Sequence, residues 1–81
     1  MKIHELEDGD DVVLKFLGET VIEVYEDEDV ELHAPVEELF KTGDQIFVTV
    51  CSVDEHSLGV QFGDGAVSFL HPASVEFIRF S

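Results

Sequence analysis

Positive charge is what this chain has least of. Three Lys and one Arg stand against nineteen Asp and Glu, which leaves a net charge of −15. Phosphate binding is driven by Lys and Arg that displace counterions, so this balance opposes direct binding of DNA or RNA. It equally opposes docking on anionic lipid. A single cysteine, Cys51, rules out an internal disulfide and any cysteine-rich metal site. The apolar residues around it predict a buried thiol, and a free thiol fits a reducing compartment. No apolar run approaches the roughly eighteen residues of a membrane span. The stretch Met1-Lys2-Ile3-His4-Glu5-Leu6-Glu7-Asp8 lacks the apolar core of a signal peptide. Together these absences predict a cytoplasmic protein.

Chemistry-bearing patterns are also missing. There is no Gly-x-Ser-x-Gly elbow, phosphate-binding loop or dinucleotide fingerprint. Carboxylates are too numerous for any one pair to stand out as an acid–base dyad. His4, His33, His56 and His71 fall in separate segments without metal-ligand spacing, which assigns them structural or surface roles. An EF-hand loop needs glycine at its sixth position, but counting from Glu26 that position is Glu31. The expectation is a protein that is not an enzyme and has no cofactor, no metal and no catalytic residues.

What is present is a repeated two-residue alternation. Eighty-one residues, 44% hydrophobic with seven Phe, fit one domain with a real core. Val12, Leu14 and Phe16 share one face, and Thr20 to Tyr25 alternates likewise. Gly18-Glu19 between them suits a type II′ hairpin turn. Val30 to His33 reads as a short strand ended by Ala34-Pro35, and Val36 to Phe40 as one helical turn with acidic residues at its start. In the longest strand, Gln45 to Val53, Ile46, Val48 and Val50 oppose Phe47, Thr49 and Cys51. Leu58 to Phe62, Val67 to Leu70 and Val75 to Phe80 follow, separated by Gly63-Asp64-Gly65 and by His71-Pro72-Ala73-Ser74. The predicted fold is all-β: a small barrel or rolled antiparallel sheet of six or seven short strands with one helical turn.

Residues 1–42 and 43–81 carry parallel landmarks. Gly9-Asp10-Asp11-Val12 opens one half and Gly43-Asp44-Gln45-Ile46 the other, and each half later reaches a His, His33 or His71. Two readings stand here: an internal repeat, or the common punctuation of small β proteins. Gly43-Asp44-Gln45-Ile46-Phe47-Val48-Thr49-Val50, Gly59-Val60, His71 and Val75-Glu76-Phe77-Ile78 resemble the carbon storage regulator family of bacterial RNA-binding proteins. That resemblance implies a small β architecture of the kind that dimerises, here as a two-repeat acidic variant. The family grips RNA with arginines, one just after the matching His. Here Ala34 and Pro72 occupy those places, so the resemblance implies the architecture without the RNA site.

The acidic residues are distributed unevenly. Residues 1–44 hold fifteen Asp/Glu and three Lys, for −12, and residues 45–81 hold four Asp/Glu and Arg79, for −3. The run Glu26, Asp27, Glu28, Asp29, with Glu23 and Glu31 beside it and Glu19, Glu37 and Glu38 nearby, is the candidate binding surface. Side chains alternate along a strand, so carboxylates two residues apart project from one face about 6.7 Å from each other. Such a row resembles the linear charge of a nucleic-acid backbone, and its natural partner is a basic protein. The leading expectation is an acidic inhibitor or adaptor that binds a nucleic-acid-handling protein. A solvated loop that only keeps the chain soluble, a fold adapted to high salt, an RNA-binding regulator and an assembly subunit or homodimer are the competing readings.

Overall fold

The computed structural model describes residues 2–26 and 35–81. Seven strands form one sheet: β1 (Asp11–Phe16), β2 (Thr20–Tyr25), β3 (Val36–Phe40), β4 (Gln45–Val53), β5 (Leu58–Phe62), β6 (Val67–Leu70) and β7 (Val75–Phe80). Single 3-10 turns at Ile3–Glu5 and Pro72–Ser74 complete the described chain. Every strand pair is antiparallel, and the order across the sheet is β3-β2-β6-β5-β4-β1-β7. The sheet is rolled, not closed into a barrel: β3 and β7 are its two ends.

Its curvature is shown by one aromatic contact. Phe16 on β1 and Phe40 on β3 stack with ring centroids 4.5 Å apart and planes 8° from parallel, although four strands lie between them in the sheet. The concave face is the core. Alternation delivers Val12, Leu14 and Phe16 from β1, Ile22 and Val24 from β2, and Ile46, Val48 and Val50 from β4 to it. Leu58, Val60, Leu70 and Val75 join them. Ser68 is the polar residue buried in this interior; its Oγ donates to the Glu23 carbonyl at 2.8 Å. That bond reinforces a short junction, since β2 and β6 are joined by only the Val24↔Ser68 and Tyr25↔Val67 pairs.

Two Gly-Asp turns frame the β1–β4 pair in the same way. In each, the Asp carboxylate accepts the N–H three residues before it at 2.8 Å: Glu7 to Asp10 and Lys41 to Asp44. Gly9 and Gly43 sit at φ 96° and 91°, a backbone region that only glycine enters freely. The Gly9 N–H donates to the Val50 carbonyl, and the Val50 N–H to the Asp10 carbonyl. Gly43, Phe16 and Asp44 repeat this exchange. The strand register is centred on Val13↔Phe47, so a local two-fold rotation exchanges the two turns. Beyond the pair the connections differ. β4 turns straight into its other neighbour β5, whereas the other neighbour of β1 is β7, the last strand.

Three sequence expectations need correction. Val36–Phe40 is a strand, not a helical turn: its backbone pairs with β2 from Thr20↔Phe40 to Val24↔Val36. Five residues offer a helix few internal bonds, and an edge place beside β2 satisfies more. Gly18-Glu19 does not make a hairpin, because β1 already has β4 and β7 on its two sides. Gly18 is also not among the glycines of positive φ that a type II′ turn requires. Cys51 is exposed, not buried. It falls where the β4–β5 register shifts between Val50 and Ser52, on the face away from the core. Of the two forms the sequence allowed, barrel or rolled sheet, the rolled sheet is the one that forms. The predicted strand Val30 to His33 lies outside the described residues.

Candidate functional site

Residues directly opposite each other in an antiparallel pair project to the same side, so the register fixes which carboxylates meet. Glu23 on β2 faces Glu37 on β3, and both are exposed on the convex side of the sheet. Like charges placed this way repel, at a cost of a few tenths to about 1 kcal/mol. The Tyr25 hydroxyl donates to Glu23 Oε2 at 3.4 Å, which is too long to offset much of that repulsion. Among the described residues the one ion pair is Lys15 to Glu76, at 3.3 Å, and it lies on β1 and β7. The Glu23/Glu37 pair therefore has no cation beside it there.

The other candidate carboxylates are placed differently. Glu38 lies opposite Ile22, so it points to the other side of β3 from Glu37. With Glu26 and Asp64 it lines a recess of about 180 Å³ that also touches Val24, Phe62 and Ala66. Glu19 is exposed in the β1–β2 connection, just before Thr20. The structure therefore brings Glu23 to Glu37 and Glu26 to Glu38, and leaves Glu19 apart from both pairs. Asp27, Glu28, Asp29 and Glu31 lie outside the described residues. Among the described residues no three His, Cys, Asp or Glu are arranged to hold a metal ion.

The histidines also separate by place. His4 falls in the first 3-10 turn and His33 lies outside the described residues. His56 and His71 approach with ring centroids 6.3 Å apart. His71 Nδ1 accepts the Ala73 N–H at 3.1 Å, capping the second 3-10 turn. That bond uses the Nδ1 lone pair, so in this geometry a neutral His71 carries its proton on Nε2. Pro72 opens that same turn.

A reading by charge alone overlooked the apolar side chains around Glu23 and Glu37. Val21 faces Leu39 two pairs further along β2 and β3, and all four residues share the convex side. On β6, Phe69 lies opposite Gly59, where its Cε1 is 3.4 Å from the position a Cβ on Gly59 would take. Val21, Glu23, Tyr25, Glu37 and Phe69 together line a recess of about 460 Å³. The signal was present in the doublets Val21-Ile22 and Phe69-Leu70, where one apolar residue of each pair must point away from the core. No family model, curated protein or solved structure matches the chain.

Proposed function

We propose that this chain is a non-enzymatic, acidic protein-binding module that docks on a basic surface of a nucleic-acid-handling protein, as an inhibitor or adaptor. The supporting observation is the directly opposed Glu23/Glu37 pair on a solvent-facing sheet surface, with no cation beside it among the described residues. Such a pair costs stability in the isolated chain and becomes favourable once Lys or Arg approaches. A net charge of −15 also accelerates the encounter with a cationic partner and makes it sensitive to salt.

Affinity capture from a cell extract at low ionic strength tests this reading. The expected result is a basic protein that is retained by the wild type and released by salt. Glu23→Gln/Glu37→Gln loses it, whereas Glu5→Gln/Glu7→Gln, of identical net charge, keeps it. Equal retention by both double variants, or no basic partner at all, sinks the proposal. A second reading, an assembly subunit or homodimer, draws on Phe47 and Phe80, which are 62% and 50% exposed. Sedimentation decides it: a single 9.1 kDa species at all concentrations rejects self-assembly.

A further inference from the structure

The convex surface of β3, β2 and β6 is apolar as well as acidic. Val21, Leu39 and Phe69 are 58%, 52% and 58% exposed, on neighbouring strands and beside Glu23 and Glu37. An aromatic residue facing a glycine across a sheet covers the bare backbone, and that accounts for Phe69 over Gly59. It accounts for neither Val21 nor Leu39, whose pairing partners are each other. Exposed apolar side chains gathered in one place and rimmed by polar groups mark an interaction surface.

The rim selects the occupant. A second copy of the chain would bring its own Glu23 and Glu37 against these, with −15 on each molecule, so self-pairing through this face is opposed. A neutral apolar segment would leave two carboxylates desolvated without partners. We infer that the β3-β2-β6 face binds a basic amphipathic segment of another protein, seating an apolar side chain among Val21, Leu39 and Phe69 and pairing Lys or Arg with Glu23 and Glu37. This rests on the basic-partner reading above and adds an apolar requirement to it. The spacing is specific. Val21 and Glu23 are two residues apart on one strand, about 6.7 Å, which an extended partner matches by placing its basic residue two positions from its apolar one. Phe69, on a central strand and held against the Gly59 backbone, is the preorganised anchor at the middle of the contact.

Three peptides of equal length test it by calorimetric titration at low salt: repeats of Lys-Ser-Leu-Ser, of Lys-Ser-Ser-Ser and of Gln-Ser-Leu-Ser. The Lys/Leu peptide is expected to bind about tenfold more tightly than the Lys/Ser peptide, and the neutral peptide not at all. Phe69→Ser and Leu39→Ser each remove that tenfold difference, while Phe47→Ser, an equally exposed aromatic elsewhere on the sheet, retains it. Leu39 lies on an edge strand and touches no glycine, so it reports on the face even if Phe69→Ser fails to fold by circular dichroism. Equal binding of the two cationic peptides overturns the apolar requirement and leaves the basic-partner reading standing. Failure of every cationic peptide to bind overturns that reading as well. Equal binding of the neutral Leu peptide shows that the carboxylates take no part, and concentration-dependent dimerisation abolished by Leu39→Ser shows that a second copy covers the face. Either result rejects the inference.

Discussion

Gly59 is the residue whose side chain, or lack of one, has the most to settle locally. A Cβ built there would overlap Ser52 Oγ, and Phe69 Cε1 would stand at 3.4 Å. Its φ is not positive, so the backbone itself tolerates alanine and the obstacle is the serine hydroxyl. Gly59→Ala is therefore expected to lower stability by about 1 kcal/mol, the lower end for overpacking, because a hydroxyl can rotate away. Removing the hydroxyl with Ser52→Ala should cancel the loss. Gly59→Ala made in that background should stabilise by a few tenths to about 1 kcal/mol, the usual gain from replacing a strand glycine. Urea titration of the four proteins of this cycle checks the coupling. A loss unchanged by Ser52→Ala would place the clash elsewhere.

At the scale of the element, β3 depends on one side chain. Val36, Glu37, Glu38 and Leu39 are all exposed, and Phe40 alone packs against the core. Its stacked contact with Phe16 is what bends the β2–β3 pair back over the concave face. Phe40→Ala is expected to cost about 2–3 kcal/mol, somewhat under the range for a fully buried Phe. Amide exchange should quicken through β3 and β2 before it does in β4 and β5. Uniform acceleration across all strands would mean that β3 does not open separately.

The same strand shows where sequence reasoning stopped. Six of the seven strands were legible because Val, Ile and Phe alternate in them with polar residues, and a half-buried strand permits little else. The acidic stretch Val36–Phe40 carries no such alternation, since only Phe40 among its five residues faces the core. Its strand character comes from pairing with β2, a tertiary cause that local sequence does not display. Gly18-Glu19 failed for a similar reason, because competition from β4 and β7 for β1 overrides a favourable turn pair. At the candidate surface, charge placed Glu23 and Glu37 among nine carboxylates centred on the run 26–29, but only the register sets one opposite the other and Glu38 on the reverse side. The exposure of Cys51 and Phe69 was hidden because alternation separates two faces without saying whether a second layer covers the outer one.

For the molecule as a whole, self-repulsion is the dominant adjustable term. Nineteen carboxylates on a chain of 81 residues destabilise the compact state, and added salt screens them. Because six of the seven strands supply buried apolar residues and Phe40 of β3 packs against them, the fold should nonetheless hold at about 0.1 M salt, where the screening length is near 10 Å. The melting temperature is expected to rise by about 5–10 °C between 0.02 and 0.5 M sodium chloride, corresponding to roughly 1–2 kcal/mol for a domain of this size. Circular dichroism melts measure it directly. A chain unfolded at 0.1 M and folded only in molar salt would instead support the salt-adapted reading.

The position of β1 between β4 and β7 has a consequence for synthesis. Its residues are complete at Phe16, but the second of its two neighbours ends at Phe80. At 5–20 residues per second, a ribosome needs roughly 3–13 seconds to make the intervening chain. Throughout that interval Val12, Val13, Leu14 and Phe16 have no completed sheet to enter. β1 therefore cannot be paired on both sides before β7 is made, and the carboxylates concentrated in residues 1–44 oppose contact between unfinished copies during that interval.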